Sequence, residues 1–158
     1  FETHAEEIYD NPKWPSRPLF YVNIPSKTDP SMAPDGCDAM FILIPIAPGL
    51  EDTAALRNDY FENVIKRFEG KTEQSIQNNI IFKESFCVED FKSEYNSYKG
   101  NAYGMAMTLF QTAFLRPKLK SSKVKNLYFT GQLTVPGPGV PPSLISGKLA
   151  SELIQKVL

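Results

Sequence analysis

Glycine is scarce in this chain of 158 residues. There are nine, with a single Gly-x-Gly at Gly137-Pro138-Gly139 and Pro142 where the next glycine of a dinucleotide turn would stand. The Gly-x-Gly-x-x-Gly fingerprint that seats a dinucleotide is therefore absent, and no phosphate-binding P-loop is expected. Histidine is scarcer still: His4 is alone, which excludes a Ser/His/Asp triad and reads as a surface residue. Two cysteines, Cys37 and Cys87, lie far apart without Cys-x-x-Cys spacing, so neither a zinc site nor a disulfide framework is visible. A reducing cytoplasm fits that usage. Seventeen basic against 18 acidic residues give a net charge of -1 and no basic face for nucleic acid. Nowhere does an apolar run reach the roughly eighteen residues of a membrane span.

What is present is ordinary globular material, with 42% hydrophobic and 22% charged residues, enough for one core and short for two. Opening on Phe1 rather than methionine points to a fragment. Phe1 to Ser16 is polar, broken by Pro12 and Pro15, and reads as an extended lead-in. Leu19 to Ile24 and Met40 to Ile46 are dense apolar runs of strand length on either side of a turn-rich link through Pro30, Pro34, Asp35 and Gly36. They predict an antiparallel pair buried on both faces. A helix is predicted from about Thr53 to Glu69, capped by Asp52 or Thr53 and ended by Gly70, and packed on that pair. Its stripe is Leu56, Tyr60, Val64 and Phe68, with Phe61 and Ile65 beside it.

Downstream, Ile80 to Phe82 reads as a short strand, Glu89 to Tyr95 as a short helix, and Ser97 to Gly104 as a loop. Met105 to Leu115 has helical composition and Leu127 to Thr130 reads as a short buried strand. A last helix runs from about Pro141 to Val157, and close packing on a sheet would account for Gly147 inside it. Lys118, Lys120, Lys123 and Lys125 form a solvated loop, or a patch attracted to anionic lipid headgroups. No acid–base pair stands out: Asp29 and Asp35 sit in a turn, and Glu89, Asp90 and Glu94 solvate a helix.

The most informative stretch is Asn126 to Pro142: a short strand, a loop of glycine and proline, and a helix opened by prolines. Gly137 and Gly139 let another group approach the main chain, and the helix start offers backbone N–H groups. An anionic or hydrogen-bond-accepting ligand suits this construction. The alternative is a connector that only turns.

With Ser143-Leu144-Ile145-Ser146-Gly147 behind it, this stretch resembles the carboxy-terminal motif of the bacterial-type phytoene desaturases. These are FAD-dependent carotenoid desaturases of the amine-oxidase-like flavoprotein superfamily. Asn126, Tyr128, Phe129, Gly131, Thr134, Pro136, Gly137, Gly139, Val140 and Gly147 match the pattern. Gln132, Leu133, Val135 and Pro138 depart from it and suggest a subgroup. Arg17 to Val22, Ser26 to Pro34, Gly100 to Gly104, Gln111 to Ala113 and Arg116-Pro117 extend the likeness from about Trp14 to the end.

The resemblance implies an α+β and α/β fragment of a two-domain flavoprotein. Residues 1–105 would be an antiparallel-sheet piece of the substrate-binding domain. Residues 106–158 would be the return segment and the last strand-loop-helix of the Rossmann-like FAD domain. It implies FAD held by Gly131, Gln132, Thr134, Pro136, Gly137, Gly139 and Val140. The first two would lie near the ribityl and pyrophosphate stretch, and Gly137, Gly139 and the Val140 N–H near the isoalloxazine ring. A phytoene-like polyene drawn from a membrane is the implied substrate, with Tyr103, Met105, Met107 and Phe110 as lining candidates or ordinary core. The implied protein is cytoplasmic and peripheral to the inner membrane face, and a fragment of it is inactive alone and prone to self-association through bare apolar surface. The rivals are a carotenoid isomerase, a carotenoid oxidase, a retinol saturase, or a non-catalytic binding module.

Overall fold

The computed structural model describes residues 1–106, 108–112 and 115–157. They form two compact units, Phe1–Gly100 and Asn101–Leu158. The architecture is mixed α and β, with four α-helices and one two-stranded sheet among the described residues.

The first unit opens on a helix, α1 (Glu2–Tyr9), where an extended lead-in was expected. The helix uses its polar side chains inward. The Glu7 carboxylate accepts from the Ser16 N–H at 2.9 Å and from the Ser16 hydroxyl at 2.8 Å, and Lys13 lies 3.3 Å away. His4 is buried, not on the surface: its Nδ1 accepts the Leu19 N–H at 3.1 Å. Apolar periodicity is blind to such a helix, because backbone donors of the next segment are what hold it down.

Strands β1 (Tyr21–Asn23) and β2 (Phe41–Leu43) pair antiparallel, Tyr21 opposite Leu43 and Asn23 opposite Phe41. The pairing is as the apolar runs predict, but the strands are shorter and not buried on both faces. Pro25 and Pro45 supply no N–H to extend the ladder. Tyr21 and Phe41 remain more than half exposed.

Helix α2 (Ala54–Thr72) is capped by Thr53, whose Oγ1 accepts the Leu56 N–H at 3.2 Å. It runs past Gly70 and stops at Glu73, in the left-handed region with φ 57°. Gly70-Lys71-Thr72 therefore lies in its last turn; Ile65 stands where a P-loop needs its first glycine, so the tripeptide is helix and not a phosphate cradle. Val64 and Ile65 are buried. The helix is tied to the segment before β1: Trp14 stacks edge-on at 4.7 Å from Tyr60, the Tyr60 hydroxyl donates to the Pro15 carbonyl, and Arg67 donates to the Pro18 carbonyl at 2.6 Å. Ile80 to Phe82 is not a strand. A 3-10 turn at Gln77–Asn79 precedes it, and Ile81 and Phe82 are exposed with no neighbouring strand.

Helix α3 (Val88–Tyr95) falls where it was predicted, but its acidic residues do more than solvate it. Asp90 accepts the Cys87 N–H at 2.7 Å and pairs with Arg57 at 2.7 Å. Arg57 also grips Asp52 through Nε at 2.6 Å and Nη2 at 2.7 Å, and Asp52 accepts the Glu89 N–H at 2.8 Å. The starts of α2 and α3 are thus joined through one guanidinium. Hydrogen bonds from Arg57, the Glu89 N–H and the Arg57 charge hold the Asp52 carboxyl below its ordinary 3.8, against the opposing effect of burial. A depressed folded value stabilises the fold at all pH above the unfolded value, and that contribution is lost as pH falls through the folded one. The urea midpoint should therefore be flat from neutrality down to about pH 4 and fall below it, with a shallower acid limb for Asp52→Asn. Identical acid limbs for the two proteins would count against this account.

The second unit is built around α4 (Val140–Gln155). Where a helix was predicted at Met105 to Leu115, the described residues show no α-helix, and Leu109–Gln111 is a 3-10 turn. Met107 and Ala113 lie outside the described residues. The strand at Leu127 to Thr130 is reduced to one antiparallel bridge, Lys120 with Tyr128, flanked by Phe129 N–H to Leu119 carbonyl at 2.7 Å and Ser121 N–H to Leu127 carbonyl at 2.9 Å. It is not buried: Leu127 and Phe129 are exposed, because a single bridge covers neither face. Lys120 lies 5.8 Å from the Tyr128 ring, and all four lysines of the cluster are exposed. No described helix is long and apolar enough to cross a membrane.

Candidate cofactor site

The glycine loop is held from behind by two side chains that receive its polar groups. Ser146, fully buried on α4, accepts the Gly131 N–H at 3.1 Å and lies 2.9 Å from the Thr134 hydroxyl and 3.3 Å from that of Thr130. Thr134 closes the turn: its N–H and hydroxyl both reach the Gly131 carbonyl, at 3.2 and 3.0 Å. This accounts for a serine inside a helix, where it would otherwise compete with the backbone. It also revises the reason for Gly147. A Cβ there would meet Thr130 Oγ1 at an ordinary 3.8 Å, so close packing does not require the glycine.

Arg116 is the second anchor, and it is 2% exposed. Nε donates to the Thr134 carbonyl at 3.3 Å, Nη2 to the Gln132 carbonyl at 3.0 Å and Nη1 to the Gln111 carbonyl at 3.1 Å. The guanidinium also backs onto Gly137, where a Cβ would stand 3.7 Å from its carbon. Arg116 and Ser146 lie in stretches that carry the family likeness, but their roles are not read from the sequence, since neither residue type announces that loop carbonyls and amides converge on it.

The sequence-predicted loop residues sit together on this frame. Gly131, Gln132 and Gly139 are half-buried, Pro136 and Val140 are exposed, and Gly137 and Thr134 are buried. The Thr134 hydroxyl is committed inward. Gly131, Gly137 and Gly139 have φ of 104°, 140° and 107°, values that side chains rarely adopt. Gly139 caps α4, with Ser143 N–H returning to its carbonyl at 3.0 Å. Because Pro141 and Pro142 carry no N–H, Val140 is the one residue among the first three of α4 that has a backbone donor. That suits one carbonyl acceptor better than a phosphate, which draws on several donors.

Of the lining candidates, Tyr103 and Phe110 are exposed and Met105 is half-buried, so the first two are not core; Met107 lies outside the described residues. The stretch before them rests on the loop. Gln132 donates to the Ala102 carbonyl at 3.1 Å, and Leu133 packs against Gly104. Among the described residues no group of His, Cys, Asp or Glu could hold a metal. Asp29 is engaged by Ser31, and Cys87 is a thiol that burial pushes up.

The frame turns the Gln132 and Thr134 carbonyls onto Arg116 and gathers Gly131, Gly137 and Gly139 in one loop at the start of α4. No family model matches the chain. It is 46% identical over 154 residues to the carotenoid 3,4-desaturase of Haloarcula japonica, covering 98% of this chain and 31% of that protein. It is 33% identical over 144 residues to the zeta-carotene-forming phytoene desaturase of Myxococcus xanthus, covering 87% and 27%. It is 32% identical over 165 residues to the phytoene desaturase of Phycomyces blakesleeanus, covering 98% and 28%. The chain spans less than a third of the length of these curated relatives. It is homologous to the bacterial-type carotenoid desaturases, and this coverage is consistent with a carboxy-terminal part of one.

Proposed function

We propose that this chain supplies the carboxy-terminal half of the flavin site, and part of the substrate channel, of an FAD-dependent carotenoid desaturase. In this reading residues 1–105 belong to the substrate-binding domain and residues 106–158 to the FAD-binding domain. The observation that carries it is similarity along nearly the whole chain to proteins named carotenoid desaturases, joined to a loop with three glycines at positive φ before the start of α4. Gly131 and Gln132 would hold the ribityl and pyrophosphate stretch, and Gly137 and Gly139 would serve the ring. The Val140 N–H would be the donor for a carbonyl of the flavin, and the helix start would favour negative charge there.

When bound, the flavin supplies the two-electron acceptor for removal of two hydrogens from adjacent carbons of a polyene. The chain's own residues bind, orient and keep the path dry. Tyr103, Met105 and Phe110 offer apolar surface to a substrate without ionisable groups, and Lys118 to Lys125 can face anionic headgroups of the membrane that holds it. A quinone or oxygen takes the electrons on.

With half the contacts present, the purified 158-residue chain should hold FAD weakly and pass through gel filtration nearly colourless, while the complete desaturase stays yellow. The exposed Phe110 and Val140, at 84% and 75%, should also promote self-association of the chain alone. Stoichiometric yellow flavin on the isolated chain would show a complete site here and end the half-site reading.

A further inference from the structure

We propose that Arg116 is a positioning residue for the flavin, setting the conformation of the loop that holds the ring without touching it. The inference rests on the flavin reading of that loop. Three nitrogens of one guanidinium each take a different carbonyl, those of Gln111, Gln132 and Thr134. The acceptors come from two stretches that adjoin nowhere in sequence, the 109–111 turn and the 132–134 turn. A carbonyl turned inward fixes its peptide plane and so sends the following N–H outward. Gln132 and Thr134 are therefore oriented by the same fork, and Thr134 is held a second time by Ser146.

The guanidinium also lies behind Gly137, where a Cβ would stand at an ordinary 3.7 Å from its carbon, so the two are in contact distance without the glycine being needed for space. Gly137 thereby backs onto a planar group. Only arginine does this: its donors are planar and fixed, whereas a lysine ammonium on the same stem is a single point that can serve one or two carbonyls. Removing it would leave the buried Thr134 carbonyl and the half-buried Gln132 and Gln111 carbonyls without this donor, and the 132–134 turn would shift to find others.

The test uses the complete desaturase containing this segment, with its bound flavin established first. Arg116→Met is expected to weaken flavin binding about tenfold or more, as loss of charged hydrogen bonds does, and to change the shape of the bound flavin's visible band. Arg116→Lys should recover part of the affinity and part of the band shape. Val64→Ala, in the buried core of the first unit, is the stability control: it should lower the melting temperature and leave the band shape unaltered. If Arg116→Met fails to fold, Arg116→Lys decides, and normal affinity with a normal band in that variant overturns the proposal. So does an Arg116→Met protein that behaves as Val64→Ala does. A desaturase whose unsubstituted form carries no flavin defeats the flavin reading itself and this proposal with it.

Discussion

Gly139→Val in the complete desaturase is expected to remove bound flavin and carotenoid desaturation together. Gly139 stands at φ 107° as the residue before α4, a region in which a β-branched side chain is strained by about 1–3 kcal/mol. The protein side alone would tolerate the extra atom, since a Cβ would lie 3.5 Å from Pro142 Cδ, an ordinary contact. The loss must therefore come from two other sources. The backbone would leave its conformation and redirect the Val140 N–H, and the side chain would rise into the space over the loop. Because Pro141 and Pro142 give no replacement donor, that redirection has no local remedy. Lys66→Ala, at an exposed position of α2, should change neither flavin nor product, since such charges usually contribute within about half a kcal/mol. Flavin absorbance of the purified protein and carotenoid colour in a producing cell give the two readings. Normal values of both for Gly139→Val would remove this loop from the cofactor site.

The elements legible in the sequence are those whose stabilisation is local and apolar. α2 declares itself by Thr53 at its start and by a stripe whose centre, Val64 and Ile65, is indeed buried. α4 declares itself by the glycine and prolines that open it. The β1–β2 pairing follows from two apolar runs and a turn between them. What was illegible depends on polar groups meeting across sequence distance. α1 is held by His4 and Glu7 receiving backbone N–H groups of Ser16 and Leu19, an arrangement that hydrophobic spacing cannot report. The Asp52–Arg57–Asp90 junction likewise spans two helices.

A different failure concerns the strands expected at Ile80 to Phe82 and Leu127 to Thr130. Their composition is that of strands, but a strand exists only with a neighbour, and the described chain offers the second one a single bridge and the first none. Exposed Ile81, Phe82, Leu127 and Phe129 are the residue of that mismatch between composition and available partners. At the candidate site, the glycines were legible because their chemistry is backbone chemistry. Arg116 and Ser146 were not, because nothing in their local sequence says that loop carbonyls and amides converge on them.

The strongest effect on stability is expected at another glycine, Gly100, which ends the first unit. It is buried, with φ 66°, and a Cβ built on it would stand 2.3 Å from the Val88 carbonyl oxygen and 2.7 Å from Val88 Cγ1. No rotamer relieves that overlap, because the nearest atom is backbone. Nor can Val88 give way cheaply. It is the first residue of α3, 2% exposed, and its neighbours are tied on both sides: Cys87 N–H to Asp90, and Glu89 N–H to the Asp52 that Arg57 grips. Moving Val88 would draw on the junction of α2 and α3 as well as on the core. Gly36→Ala isolates the conformational part of the cost, since Gly36 has φ 75° with nothing within 4 Å of a Cβ. That variant should lose about 1 kcal/mol from the left-handed region alone. Gly100→Ala should lose at least about 3 kcal/mol, the strain and the overpacking together. Urea unfolding of the two variants beside the parent protein measures both. Equal losses would mean that the α3 start yields freely, and that the Asp52–Arg57–Asp90 junction does not fix the position of Val88.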